Sequence, residues 1–372
     1  MNPIFDKIPG QERVKLSLNN FLLSKIFPHA FLFTGPEGVG KDNAAIQFAK
    51  ALVFSQSNNE AEKAVRLIEQ LQEPYLKLIF PLPRGKNEIE SSSPTEKLNQ
   101  DELELLIEQL DIKAKNLFHK ISIPKANAIK INSIRDIKKF LSMDYGEVGF
   151  RFVIISDAHS MNEESQNSLL KSLEEPPDKV IFILTTPYPS KLRSTILSRC
   201  WRINFDPLDN KSVVNILTDY FDINKETAEE VAPFAMGSVQ NALKLIKLDF
   251  HILKEKTISV LRYSFGRKFH SAFNELNSIL SDQSSANFPI LVNMIITWIN
   301  DIQRHKLQFN RYFYKDYLET LEKFNSKFPN VELSGLTSRL DKLCNLPQNN
   351  INPSLLSANL VFELASVVLA QQ

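Results

Sequence analysis

Between Arg151 and Cys200 the chain carries two short, unbroken apolar runs, Phe152 to Ile155 and Val180 to Leu184. They are separated by Leu169, Leu170 and Leu173 at helical spacing and by the break at Pro176-Pro177. Runs of this kind, bounded by turn signals, predict a strand, helix, strand unit. Strands that are apolar throughout are buried on both faces, which places them in a parallel sheet covered by helices, an α/β architecture. Asp157 and Thr186 stand at the strand ends, on the edge where open α/β sheets hold their ligands.

A second unit of this kind lies near the start. Phe31-Leu32-Phe33 runs into Gly35-Pro36-Glu37-Gly38-Val39-Gly40-Lys41, a strand leading through a glycine-rich loop into a helix. Gly35, Gly38 and Gly40 would let backbone N–H groups wrap a phosphate, with Lys41 and the helix N-terminus adding positive charge. In a working P-loop, Ser or Thr follows the lysine and holds Mg²⁺. Here that residue is Asp42, whose charge opposes a polyphosphate unless the carboxylate itself takes the metal. Two readings stay open: a tight turn that packs the first strand on its helix, or a loop that holds nucleotide without hydrolysing it.

A chain of 372 residues, 43% of them apolar and 26 of them Phe, has material for two or three packed domains. Its 44 basic and 43 acidic residues leave a net charge of +1, so only a local patch could bind nucleic acid electrostatically. Cys200 and Cys344 are too few for a disulfide framework or a four-cysteine zinc module, and His119 cannot replace one, so no zinc is expected. The opening MNPIFDKIPGQ is unlike a signal peptide and the most apolar segment is too short to span a bilayer. A cytoplasmic protein is expected.

Asp157-Ala158, Asn167, Leu169-Leu170-Lys171, Leu173-Glu174-Glu175-Pro176-Pro177 and Ser198-Arg199-Cys200 together resemble the core of bacterial clamp-loader subunits, within the AAA+ superfamily. The resemblance is strong over residues 5–50 and 129–205 and architectural after 250. It implies an α/β P-loop NTPase-like core at 1–207 with a polar insertion at about 84–128, a helical lid at 208–248, and an all-helical collar at 249–372. It also implies partners: ATPase subunits of the gamma/tau type, a delta-type subunit, the sliding clamp through the complex, and primer-template DNA bound without sequence preference. No membrane and no required cofactor are expected.

Active members of this family follow the strand with Asp-Glu, the glutamate polarising the attacking water. This chain has Asp157-Ala158. In Gly237 to Leu243, which resembles the sensor-2 helix, Gln240 stands where active members set an arginine on the phosphates. With Asp42, these departures each remove a different part of phosphoryl-transfer chemistry and point to a silent site. Ser198-Arg199-Cys200 is intact, and in the family its arginine reaches a neighbouring subunit's nucleotide, a task suited to a planar, always-charged fork. Thr186 aligns with sensor 1 and reads as scaffold; Cys200 reads as a small buried apolar residue. Arg135, Lys138 and Lys139 lie on a helix that faces the central channel in clamp loaders, which makes them candidates for DNA phosphate contacts. Two alternatives remain: an active ATPase with Asp42 as metal ligand, and a scaffold in which Arg199 has no catalytic partner.

Finer expectations concern helix starts. In the polar stretch Ser91 to Glu96, Ser93 and Glu96 form a capping-box pattern around Pro94, ahead of a charged helix through Leu103, Leu106, Ile107 and Leu110, loosely packed on the sheet edge. Ser133 is expected to cap the helix of Ile134 to Leu141. A C-terminal helix is expected to run from Tyr312 to Phe324.

Overall fold

The computed structural model describes residues 2–55, 61–86, 88–89, 92–143, 149–280, 287–344 and 352–369; Ser91 lies outside them. The elements in order are α1 (Glu12–Ser24), β1 (Ala30–Thr34), α2 (Lys41–Phe54), α3 (Ala61–Glu69), β2 (Leu76–Ile79), α4 (Gln100–Lys115), α5 (Ile131–Ser142), β3 (Arg151–Ile155), α6 (Glu163–Glu174), β4 (Val180–Thr186), α7 (Ser194–Leu197) and β5 (Trp201–Asn204). They continue through α8 (Asn210–Phe221), α9 (Lys225–Val231), α10 (Val239–Lys247), α11 (Phe250–Phe265), α12 (Phe269–Leu280), α13 (Phe288–Lys306), α14 (Leu318–Lys327), α15 (Ser334–Cys344) and α16 (Pro353–Leu369). The chain divides into two compact units: Met1–Asn224 with Gly237–Val239, and Lys225–Met236 with Gln240–Gln372.

The first unit is built on a five-stranded sheet in the order β2-β3-β4-β1-β5, with every pair parallel. Alternation along the inner strand β1 assigns its two faces. Phe31 meets Phe21 of α1 and Phe48 of α2, with ring centroids 5.2 and 5.4 Å apart. On the opposite face Ala30 and Leu32 join Val153, Ile155, Phe182 and Leu184, covered by Ile134, Ile137 and Phe140 of α5, Leu169 and Leu173 of α6, and Ile196 of α7. Burial of each such side chain contributes about 1.5–3 kcal/mol, so covering both faces is what makes unbroken apolar strands stable here. Cys200 packs partly buried against this core, and burial pushes its thiol up to about 12.

Several helix starts differ from the sequence expectation. Ser93 and Glu96 close only a turn, the Ser93 N–H donating to Glu96 Oε2 at 3.1 Å. The helix begins later, at a capping box in which Asn99 Oδ1 accepts from the Glu102 N–H at 2.8 Å and Glu102 Oε2 from the Asn99 N–H at 3.0 Å. Nor is α4 loosely held: Leu106 is buried in a cluster with Phe80, Leu82, Leu98 and Ile123 at the β2 edge. Ser133 lies inside the first turn of α5, its hydroxyl buried without a partner; the helix starts from Lys130, with no side-chain cap. Lys130 is fixed there because its Nζ donates to the carbonyls of Pro83 and Pro94 and to Glu88.

Among the described residues the regular elements of the second unit are all helices. Trp298 of α13, 1% exposed, packs between Phe265 and Phe324, with ring centroids 5.9 and 5.3 Å away. The helix expected from Tyr312 starts instead at Leu318. The buried carboxylate of Asp301 takes the N–H groups of Phe313 and Tyr314, both at 2.8 Å, and holds that segment out of helical conformation. Among the described residues no helix is long and apolar enough to cross a membrane, and no cluster of His, Cys, Asp and Glu could hold a metal.

Candidate functional site

A parallel sheet presents the C-terminal ends of its strands along one edge. The loop after β1 therefore lies beside the ends of β3 and β4, and side chains distant in sequence meet around Lys41 and Asp42. The loop is shaped by Gly35 (φ 145°), Gly38 (φ 73°) and Gly40 (φ 87°), of which Gly40 precedes the first turn of α2. It is tied in place by its neighbours: the Val239 N–H donates to the Gly38 carbonyl at 3.1 Å, and the Phe205 N–H to the Thr34 carbonyl at 2.7 Å.

Lys41 does not extend from the loop. Its Nζ donates back to the carbonyls of Gly35, at 2.8 Å, and Pro36, and the residue is 8% exposed. Burial lowers its pKa to about 8. Asp42 is likewise engaged. Its carboxylate accepts from Thr185 Oγ1 at 2.7 Å, Ser156 Oγ at 2.9 Å and Lys113 Nζ at 3.3 Å. Burial pushes this carboxyl up, but Lys113, the two hydroxyls and Lys41 outweigh that and hold it below its ordinary 3.8.

Because the folded value is the lower one, the unfolded chain takes up the proton first as pH falls. Stability contributed by ionised Asp42 is present above the ordinary carboxylate value and lost as pH falls through the depressed one. The urea midpoint of the first unit is expected to fall below about pH 4, and Asp42→Asn to flatten that acid limb. An unchanged acid slope in the variant would refute this assignment.

The remaining groups come from the insertion. Lys120 pairs with Glu37 of the loop and with Asp157 after β3, the latter at 3.3 Å. Burial opposes its charge, but Asp157 and Glu37 hold its pKa above the ordinary lysine value. Phe118, 7% exposed, lies against Gly40, where an added Cβ would meet its Cε1 at 2.9 Å. Ala158 is fully buried and brings no polar side-chain atom to the site. Thr186 Oγ1 accepts the Tyr188 N–H at 3.0 Å, a bond that orders the turn after β4.

Thus the fold brings Lys41, Asp42 and Asp157 together with Lys113, Phe118, Lys120, Ser156 and Thr185, five residues that sequence reasoning did not single out. Arg199 stands apart. Its Nη1 donates to the Thr195 carbonyl at 2.8 Å, and its Nη2 pairs with Glu174 Oε1 at 2.8 Å at a partly exposed surface. Gln240 lies in the second unit. On α5, Lys138 and Lys139 are exposed and Arg135 is half-buried.

A parallel α/β sheet with a glycine loop and a lysine at the end of the inner strand β1 defines a P-loop-type α/β protein. The family model described as "DNA polymerase III, delta subunit" matches residues 10–209, and the chain belongs to this family of DNA polymerase III clamp-loader subunits. DNA polymerase III subunit tau of Bacillus subtilis is 30% identical over 247 residues, 65% of this chain and 37% of that protein. Subunit gamma of Buchnera aphidicola from Schizaphis graminum is 28% identical over 302 residues, 78% of this chain and 71% of that protein. Subunit delta' of B. subtilis is 28% identical over 267 residues, 71% of this chain and 68% of its own length. The chain thus spans little more than a third of the tau relative but about two thirds or more of the gamma and delta' ones.

Proposed function

We propose that this chain is a delta-prime-type subunit of the clamp loader: silent at its own phosphate loop, it supplies Arg199 to the nucleotide site of a neighbouring ATPase subunit while the complex places the sliding clamp on primed DNA. The observation that carries this reading is the engagement of Asp42. The residue that replaces the metal-holding hydroxyl is occupied by Lys113, Ser156 and Thr185, which leaves neither a Ser/Thr ligand nor a free carboxylate for Mg²⁺. That geometry disfavours the active-motor alternative, in which Asp42 would bind the metal. Ala158 adds the absence of a base, and a delta' subunit is among the relatives beside tau and gamma ones of similar identity.

Arg199 suits a role in trans because its side chain is 34% exposed and held by a surface pair. The same pair with Glu174 is what favours the scaffold alternative, in which the arginine stays at home. The proposed partners are gamma/tau-type and delta-type subunits, with the sliding clamp reached through the complex. Lys138 and Lys139, with Arg135, are proposed to meet DNA phosphates without reading sequence. The test is DNA-stimulated ATP hydrolysis by a complex rebuilt with the same organism's other subunits and clamp. A fall in turnover with Arg199→Ala while the complex stays assembled supports the role in trans; unchanged turnover leaves only the scaffold.

A further inference from the structure

The insertion that occupies the middle of the first unit ends on the phosphate loop, and its contacts there differ in kind from those of a passing surface segment. Lys113, at the end of α4, is 3% exposed and donates to the carbonyls of Leu117, at 2.9 Å, and His119, at 2.7 Å, as well as to Asp42. One ammonium thus fixes the turn of the segment and anchors it to the loop. Asn116 Oδ1 accepts the Phe118 N–H at 3.0 Å, and Asn116 Nδ2 donates to the Tyr220 carbonyl at 2.6 Å. The Phe118 ring meets Tyr220 edge-on, with centroids 4.9 Å apart. His119 Nε2 lies 2.9 Å from Gln109 Oε1, which ties the segment back to α4 once more.

So held, the segment brings two groups to the loop. The Phe118 ring covers Gly40, the residue before the first turn of α2, where a phosphate bound by the loop would meet the helix N–H groups. Lys120 places its ammonium between Glu37 and Asp157. The acidic groups about the loop, Glu37, Asp42 and Asp157, are thereby matched by Lys120 and Lys113 without any ligand. A polyphosphate entering here would have to displace an aromatic ring and add negative charge beside three carboxylates that share two lysines.

We propose that Asn116–Lys120 is an intramolecular plug that occupies the phosphate loop and excludes phosphate ligands from it. This deepens the silent-site reading and rests on it, yet the two fail differently. Substituted catalytic groups abolish hydrolysis, whereas the plug abolishes entry. The intact glycines of the loop and its closed state are then compatible: the turn is kept for packing, and the insertion fills the space that the turn would otherwise offer to solvent and anions.

The test uses the full chain, fluorescent N-methylanthraniloyl-ADP with Mg²⁺, and equilibrium titration. The wild type is expected to bind at least about tenfold more weakly than Phe118→Ala/Lys120→Ala. Adding Asp42→Thr, which supplies the hydroxyl a P-loop uses, is expected to tighten binding further. Lys120→Ala alone, at a half-exposed side chain, guards against loss of fold and is expected to show part of the gain. Binding without ATP turnover in the opened chain upholds both readings; binding with turnover upholds the plug and overturns the silent site. The plug itself is overturned if wild type binds as tightly as the opened variants. It is also overturned if the folded Asp42→Thr/Phe118→Ala/Lys120→Ala chain binds no nucleotide.

Discussion

On the proposed role in trans, Arg199→Ala is expected to lower ATP turnover at a neighbouring subunit's site by about 10³-fold or more, the range spanned by arginine fingers in phosphoryl transfer. In the isolated chain the guanidinium rests against Glu174, with side chains 34% and 49% exposed. A pair this open contributes about 0–1 kcal/mol, so the arginine leaves it at little cost when a neighbour's phosphate is offered. The same weakness means that the alanine variant keeps its fold, with an unfolding free energy within about 1 kcal/mol of wild type. Arg199→Lys is expected to recover only a small part of the activity, since an ammonium keeps the charge but not the two-pronged, planar geometry. Turnover is to be read beside a sizing measurement. Loss of the assembled complex in the variant would assign Arg199 a structural task at the subunit interface instead.

Gly35→Ala is expected to destabilise the first unit by about 3 kcal/mol or more, whatever the loop binds. At φ 145° the backbone is in a region that L side chains rarely adopt, and an added Cβ would lie 2.4 Å from the Phe205 carbonyl oxygen and 2.8 Å from the Phe205 Cβ. Neither neighbour can yield easily. Phe205 follows β5, its N–H is bonded to Thr34, and its ring packs on Phe33 with centroids 5.2 Å apart. Urea unfolding followed by tryptophan fluorescence would report the change, and a loss of less than about 1 kcal/mol would mean that the loop shifts freely. This glycine thus has a packing reason to stand in the loop, independent of any nucleotide chemistry there.

The sheet was legible because a strand buried on both faces has no polar alternation to hide it: Phe152 to Ile155 and Val180 to Leu184 announce β3 and β4 directly. Helix starts were less legible. Ser133 and the Ser93/Glu96 pair have good capping chemistry, but tertiary bonds decided otherwise, through Lys130 held by Glu88 and two carbonyls and through a better box at Asn99/Glu102. Tyr312 to Tyr317 carried helical spacing, yet Asp301 took two of its N–H groups from another helix. The composition of the site was the least legible part. Lys113 and Asp42 are 71 residues apart, and no local pattern marks a lysine that will reach back across an insertion. One signal was present: a carboxylate placed where the fold buries the first turn of α2 requires a cation and donors, and an insertion rich in lysine was at hand to supply them.

The most direct measurement compares Lys41→Met with Arg199→Ala in the rebuilt complex, by DNA-stimulated ATP hydrolysis. Lys41 donates to the loop's own carbonyls of Gly35 and Pro36, so on the proposed reading removing its charge touches a site that does no chemistry. Turnover equal to wild type with Lys41→Met, and a deep loss with Arg199→Ala, is the result expected of a subunit silent in its own site and active in its neighbour's. A loss with Lys41→Met as deep as that with Arg199→Ala, in an assembled complex, would contradict it and make this chain a working ATPase.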